Sequence, residues 1–287
     1  MWQVLLSIPG TPIKLYGYGF MVCLAFLGGL LMAQWRAKRE RLDPDLVADM
    51  ALWIFVGGVV GARAFYVFQY WGTRIHSLGE AFEIWNGGIV LYGSIIGGFL
   101  AFLAFRRVRE FPLLATCDAL APSIALGIGI GRIGCFLNGC CYGDMTSLPV
   151  GVCFPAYSPP WVDQVQRGVI ESTQSHSLAV QPTQLYSAFD GLLLCLLLTA
   201  YYPLRKRDGE VMALLMVTYP VTRFLIEWLR NDEGSFFAGL TISQNISLGI
   251  FALGLINWAW LRRRPLTRFA DQPSAHDHDP ATPDNPT

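Results

Sequence analysis

Long runs of apolar residues, separated by short polar connections, extend over most of the chain. A helix that crosses the hydrocarbon core of a membrane needs about 20 consecutive, mostly apolar residues. Seven stretches meet this requirement, near 16–35, 46–69, 88–105, 115–138, 185–204, 211–229 and 242–261. The pattern predicts an all-α, polytopic membrane protein with seven transmembrane helices.

Basic residues mark one side of this predicted bundle. Clusters of Lys and Arg follow the first, third, fifth and seventh spans, at 36–41, 106–109, 205–207 and 262–264. Because Lys and Arg accumulate in cytoplasmic loops, this spacing predicts an N-terminus outside and a C-terminus in the cytoplasm. Six or eight spans would leave a basic cluster on the outer side.

The polar segments divide the chain into a membrane part and a tail. We expect 1–264 to form a seven-helix membrane domain, whose outward-facing loop region 139–184 is long enough for a small folded cap. The segment 265–287 is rich in Pro and Asp and has few large apolar residues, which is typical of a disordered tail. Its His276 and His278 are expected to be solvated rather than metal-bound.

Composition agrees with a membrane protein. Hydrophobic residues make up 53% of the chain and charged residues 15%, and the mean hydropathy is +0.40, which excludes a water-soluble globule. The formal net charge is zero, so the placement of the charges is more informative than their sum.

Among the charged residues inside predicted spans, four stand out: Arg63, Arg132, Arg223 and Glu227. An ionisable group at membrane depth costs at least about 2.5–3.5 kcal/mol, and it indicates function by default. The predicted topology places the three arginines in the outer half of the bilayer, where they would form an anion site. Arginine binds phosphate through a planar fork, so the expected anion is a phospholipid headgroup.

Local alternatives remain for these charges. Arg223 and Glu227 are four residues apart and can pair on one helix face, with Arg230 reaching water from the end of the span. Four glycines surround Arg132, at 127, 129, 131 and 134. They either leave room for a ligand beside the guanidinium or serve helix packing.

Several motifs in fixed order resemble those of the bacterial prolipoprotein diacylglyceryl transferases. They are Lys14–Gly19, Gly61–Tyr66, Trp85–Gly93, Gly131–Gly143, Gln181–Tyr186 and Arg223–Arg230. The resemblance covers about 8–261 and includes the seven-span topology. The positions that match the family pattern are Tyr16, Arg132, Asn138, Gly143, Arg223 and Glu227.

Five positions depart from that pattern. Tyr92 and Gln181 stand where the family usually has His, Cys135 replaces an Asn, and Cys140 and Ser187 replace acidic residues. The phosphate-binding half of the site is therefore kept, while the half expected to handle protons is altered.

The resemblance implies an enzyme that transfers the diacylglyceryl group of phosphatidylglycerol to the lipobox cysteine of prolipoproteins, forming a thioether and releasing glycerol phosphate. It implies catalytic roles for Arg132, Arg223, Glu227, Tyr16 and Tyr92. It also implies phosphatidylglycerol binding by Arg132, Arg223, Arg63, Asn138 and Gly143. The thiolate would form either in the arginine field or through a proton relay by Tyr92.

The expected partners are phosphatidylglycerol, prolipoprotein signal peptides and membrane lipid in a bacterial inner membrane, with no nucleic acid and no cofactor. The alternatives are a lipid transporter or flippase, and a non-catalytic relative that binds phospholipid or signal peptides. A transporter would favour internal repeats and broken helices in both halves, and we find no such repeat in the sequence.

The cysteines allow more than one interpretation. Cys140 and Cys141 in an outward-facing loop, with Cys153 nearby, predict a disulfide between Cys153 and one of them in an oxidising compartment. A metal site is not expected, because His and acidic companions are lacking. A catalytic thiol that carries the diacylglyceryl group is the third possibility. The other cysteines outside this region, Cys23, Cys117 and Cys195, lie in apolar stretches and are expected to act as small hydrophobic residues.

Overall fold

The computed structural model describes residues 4–7, 14–73, 75–83, 88, 90–230 and 236–272. In this part of the chain the elements are β1 (Val4–Ser7), β2 (Lys14–Tyr16), α1 (Gly17–Arg39), α2 (Pro44–Tyr70), α3 (Leu78–Phe82), α4 (Leu91–Val108), α5 (Leu113–Asn138), α6 (Pro159–Gln166), α7 (Thr183–Tyr201), α8 (Glu210–Glu227) and α9 (Ile242–Arg262). The histidines of the predicted tail, His276 and His278, and residues 85–87 of the third-span motif lie outside the described residues.

Six of these helices are long and apolar enough to cross a membrane: α1, α2, α4, α5, α7 with the short 3₁₀ turn after it, and α9. Helix α8 corresponds to the predicted sixth span. It is 18 residues long, as is α4. It carries Glu210, Arg223 and Glu227, however, and is therefore too charged to qualify by composition. A mostly helical protein with several candidate spans is confirmed, and the count of seven spans stays a prediction.

A small hairpin precedes the bundle, so the prediction of an all-α protein needs a minor correction. Strands β1 and β2 pair antiparallel, with Val4 opposite Tyr16 and Ser7 opposite Lys14. Strand β2 runs directly into α1, and Tyr16 is the last residue before the first helical turn. The hairpin therefore sets where α1 begins.

Helices α2 and α4 form one closely packed pair, in which glycines allow the two backbones to touch. Gly57 and Gly61 of α2 face Gly93 and Gly97 of α4, and each set is spaced by four residues. A Cβ added at Gly57 would lie 2.8 Å from the Gly97 carbonyl oxygen. Small residues at this spacing allow close helix packing in membranes.

The remaining helices pack in the order α2, α1, α5, α7 and α8, with α9 against α8. The most extensive of these contacts are α1 with α5, α5 with α7, and α8 with α9. Helix α5 also contacts α8. Because α5 contacts α1, α7 and α8, the end of α5 is where side chains from several helices can meet.

Charged residues join several helices at the end of the bundle that carries the basic clusters. Buried Arg205, after α7, forms a short ion pair with Glu40, after α1, and lies 3.4 Å from Asp118 of α5. The Asp118 carboxylate accepts hydrogen bonds from the backbone N–H groups of Gly209 and Met212, at 2.8 and 2.9 Å. These contacts fix the start of α8 against α5.

At the other end, residues 139–182 fold into a cap over the bundle. Val152 pairs with Val180, and both Phe154 and Trp161 of α6 are buried. The Trp161 indole N–H donates to the Gln174 carbonyl at 2.8 Å. The outward-facing region predicted from the sequence is thus an ordered cap with its own small core.

Candidate active site

Arg132 lies in α5, two turns before the helix ends. Its guanidinium is half-buried and makes no hydrogen bond or ion pair to any residue that the structure describes. A Cβ added at the preceding Gly131 would meet no atom within 4 Å, whereas Gly129 contacts Leu192 and Ala188 of α7. Gly129 therefore serves helix packing, whereas Gly131 makes no close contact with a neighbouring helix.

Helix α1 contributes Tyr18 to the same region. Gly134 of α5 packs against Tyr18 and Met21, with contacts of 3.4 and 3.0 Å to the position of an added Cβ. The Tyr18 phenol lies within electrostatic range of Arg132. Tyr16, for which the family resemblance implies a catalytic role, lies two residues earlier in β2. It is 55% exposed.

The chain turns back sharply where α5 ends. Gly139 has φ +79°, in the left-handed region, and its N–H donates to the Cys135 carbonyl at 2.9 Å. The next thiols, Cys140 and Cys141, then come to lie beside Cys135. The Asn138 side chain donates a hydrogen bond to the Cys140 sulfur.

The first residues of the cap are held against α7 and the end of α8. Gly143 donates its N–H to the Gln181 carbonyl at 2.9 Å, and Asp144 donates to the Leu229 carbonyl at 3.0 Å. A Cβ at Gly143 would lie only 2.7 Å from the Gln181 side chain. Gly143 is thus required for close approach of the two segments, and its predicted contact with phosphatidylglycerol stays a prediction.

Helix α8 places a carboxylate between two arginines. Glu227 is 1% exposed and forms a short ion pair with Arg223, and Arg230 lies 3.9 Å away on its other side. Arg223 also donates to the Ser243 hydroxyl of α9 at 3.1 Å. The predicted intrahelical pair is present, and Arg230 belongs to it instead of reaching for water.

Arginines from the ends of α5 and α8 both act electrostatically on the thiol of Cys141. Hydrogen bonds from the Cys135 and Cys140 thiols lower the pKa of the Cys141 thiol, and this outweighs the effect of burial. The guanidinium groups of Arg230 and Arg132 lower the same pKa further. Arg132, Arg230 and Glu227 therefore belong to one polar region, with a net positive charge.

Arg63 and Tyr92 belong to the closely packed pair of α2 and α4. The Arg63 guanidinium is 8% exposed and donates to the backbone carbonyls of Glu80, Ala81 and Gly88, at 2.6–3.0 Å. Tyr92 begins α4, which packs mainly against α2. Arg63 thus holds the α3 segment in place.

The predicted disulfide needs correction. All seven cysteines are free thiols, and Cys140 and Cys141 lie beside Cys135 rather than beside Cys153. In the extended segment of the cap, Phe154 points into the core and Cys153 is exposed. Neighbouring side chains of extended backbone point to opposite sides, which explains why Cys153 faces away.

Three residues of this region were not selected from the sequence: Tyr18, Arg230 and Asp190. Asp190 of α7 accepts a hydrogen bond from the Thr222 hydroxyl of α8 at 2.8 Å. Thr222 directly precedes Arg223 in the sequence. The signal for Asp190 was its charge inside an apolar span, and that for Arg230 was its spacing of three residues from Glu227. No comparable signal separates Tyr18 from Tyr16.

Comparison with known proteins identifies the family of this chain. A family model described as prolipoprotein diacylglyceryl transferase matches residues 3–260. The phosphatidylglycerol–prolipoprotein diacylglyceryl transferase of Nostoc sp. strain PCC 7120 is 35% identical over 274 residues, 93% of this chain and 92% of the relative. Its namesake in Clostridium tetani is 32% identical over 243 residues, 85% and 92% of the two chains. The resemblance inferred from the motifs is thereby confirmed, and the chain belongs to the prolipoprotein diacylglyceryl transferase family.

Proposed function

We propose that this protein transfers the diacylglyceryl group of phosphatidylglycerol to the thiol of the lipobox cysteine of prolipoproteins. The relatives described above are named for this transfer. The observation that carries the proposal is the half-buried Arg132 side chain at the end of α5, whose guanidinium has no partner among the described residues. A cation at membrane depth without a protein partner is suited to bind an anionic lipid headgroup.

The reaction is a substitution at carbon. The acceptor thiolate forms a bond to the glyceryl carbon, the bond from this carbon to the phosphate oxygen breaks, and the electron pair leaves with glycerol phosphate. The leaving phosphate changes from a diester monoanion to a monoester that gains negative charge. Cations that bind it more tightly as this charge develops lower the barrier, and we assign this role to Arg132 and Arg223.

Glu227 is the positioning residue for the α8 side of the site. Its buried carboxylate holds Arg223 on one side and Arg230 on the other. Asn138 contributes by fixing Cys140, and Gly143 by letting the cap approach the end of α8. Arg63 is assigned to the α3 segment instead of to the lipid, since three backbone carbonyls already occupy it.

The acceptor must lose its proton before it attacks, because the thiolate is the nucleophile and a free thiol has a pKa of about 8.5. Arg132 and Arg230 already lower the pKa of the Cys141 thiol. An acceptor thiol that enters the same field would be stabilised as a thiolate in the same way. We therefore favour the arginine field over a proton relay through Tyr92.

We also propose seven spans with the N-terminus outside and the C-terminus in the cytoplasm of a bacterial inner membrane. The seventh is α8, whose charged residues lie at its two ends. The basic segments support a common side, since Arg205 pairs with Glu40 and Arg207 donates to the Arg264 carbonyl. The cap and the Arg132 region then lie on the outer side.

The test is a transfer assay with purified protein, phosphatidylglycerol labelled in its diacylglyceryl group, and a lipoprotein signal peptide. The matched control is the same peptide with its lipobox cysteine replaced by serine. We expect labelled thioether and one glycerol phosphate per transfer with the cysteine peptide, and neither with the serine peptide. Binding of lipid and peptide without transfer would identify a non-catalytic relative, and movement of intact lipid across vesicles would identify a flippase.

A further inference from the structure

Three thiols converge at the end of α5, and the proposed transfer does not use them. The sulfur atoms of Cys135, Cys140 and Cys141 all lie within 4.8 Å of one another, and the three side chains are half-buried. Two backbone features bring them together. Gly139 reverses the chain at φ +79°, and Cys141 itself adopts φ +60°, which L-residues rarely do.

The distances between these sulfur atoms are close to those between thiolate ligands of one metal ion. Zinc binds thiolate sulfur at about 2.3 Å, so sulfur atoms around a tetrahedral ion lie about 3.8 Å apart. Closing the observed cluster onto an ion requires side-chain movements of about 1 Å. Soft thiolate ligands select zinc-like and softer ions over magnesium or calcium, and three protein ligands leave a fourth position for water.

The surrounding charge favours the complex that would form. A divalent ion with three thiolates has a net charge of −1, and the thiols would release up to three protons to solvent with no electron transfer. Arg132 and Arg230 lie within electrostatic range of Cys141 and balance this negative charge. The Asn138 side chain donates to the Cys140 sulfur and so favours its thiolate.

We propose that Cys135, Cys140 and Cys141 form a binding site for one thiophilic divalent cation, of the chemical class of Zn²⁺ and Cd²⁺. The cluster lies next to the proposed transfer site, in the electrostatic range of Arg132 and Arg230, but the binding of a cation does not require the transfer. This proposal revises the sequence-based expectation that no metal site is present. That expectation rested on the lack of His and acidic companions, whereas in the structure Cys135 lies beside the two thiols of the cap.

The test uses the full-length protein in detergent, first reduced and then freed of reductant and metal. Cd²⁺ is titrated in, and the ultraviolet charge-transfer band of thiolate-bound cadmium is recorded. We expect saturation at one equivalent. Replacing any cluster cysteine by serine should weaken binding at least about tenfold, whereas Cys153→Ser, the matched control on the cap, should bind like the wild type. Transfer activity is not the readout, because the acceptor thiol itself binds cadmium.

A second measurement needs only the wild-type protein, so it does not depend on whether the variants fold. Cadmium should protect Cys135, Cys140 and Cys141 from alkylation by N-ethylmaleimide, as counted by peptide mass spectrometry, and leave Cys153 reactive. Absence of the charge-transfer band in the wild type, an equal loss in Cys153→Ser, or a disulfide that re-forms within the cluster before cadmium binds would each overturn the proposal.

Discussion

The arginines of this protein differ in what their guanidinium groups already bind. Arg63 donates to three backbone carbonyls, and Arg205 is held by carboxylates and stacks on the Tyr202 ring, 4.1 Å from its centroid. Arg132 has no such partners among the residues described. A guanidinium has five donors in a fixed fork, and only donors that are not already bound to the protein can bind a lipid phosphate.

The first prediction concerns Arg132. We expect Arg132→Ala to reduce transfer by at least about a hundredfold, because it removes a donor to developing charge. Arg132→Lys should recover little, since it keeps the charge and loses the bidentate fork. The labelled-lipid assay measures both variants. Arg167→Ala is the control, because Arg167 is exposed on the cap and pairs with the partly exposed Asp163. Near-normal activity of Arg132→Lys would show that charge alone is sufficient.

The second prediction separates two tyrosines. Tyr18 lies within electrostatic range of Arg132, whereas Tyr92 lies in the first turn of α4. We expect Tyr18→Phe to lower the rate of transfer by about tenfold, which corresponds to a hydrogen bond of roughly 1–1.5 kcal/mol. Tyr92→Phe should have a smaller effect. The opposite order would return the proton relay through Tyr92 to the mechanism.

At the scale of the helices, close backbone contact between α2 and α4 depends on glycine. A Cβ at Gly61 would collide with the Gly93 carbonyl oxygen and lie 2.7 Å from Gly97. We therefore predict that Gly61→Ala lowers the thermal midpoint in detergent, because the helices must separate. The control is Gly249→Ala in α9, where an added Cβ meets nothing within 4 Å. That change should be neutral or stabilise by up to about 1 kcal/mol, and equal destabilisation by both would contradict the packing argument.

Asp118 joins helices through a buried charge. It binds two N–H groups at the start of α8 and lies beside buried Arg205. Asp118→Ala leaves these groups without their partner, and we expect a loss of about 3–5 kcal/mol in unfolding free energy. Asp271→Ala removes an exposed pair with Arg268 and should cost at most about 1 kcal/mol. Chemical denaturation of both variants tests the difference, which would be absent if Asp118 were solvated.

For the whole molecule, the testable property is its orientation in the membrane. A reporter that is active only outside the cytoplasm should work when fused within 145–175, inside the cap. A cytoplasmic reporter should work when fused after 265. These results follow if the four basic segments lie on the cytoplasmic side, and reversal of both would refute seven spans with this orientation.

Hydropathy was sufficient to locate the seven long helices of this protein. The seven apolar runs coincide with α1, α2, α4, α5, α7, α8 and α9, with boundaries within a few residues. This works because a helix in lipid satisfies its own backbone hydrogen bonds, so length and apolar character are local properties of the chain. The motifs around Arg132 and Arg223 were sufficient for the family for a similar reason, since each motif is contiguous.

The partners of each polar side chain depended on packing between distant segments. Arg63 and Arg132 look alike in the sequence. The guanidinium of Arg63, however, donates to backbone carbonyls of another segment, whereas that of Arg132 has no partner among the residues described. Cys135 and Cys141 meet because the chain reverses at Gly139, and Cys153 turns outward because Phe154 fills the core of the cap. Such contacts follow from the close packing of side chains in three dimensions, which local hydropathy and spacing do not encode.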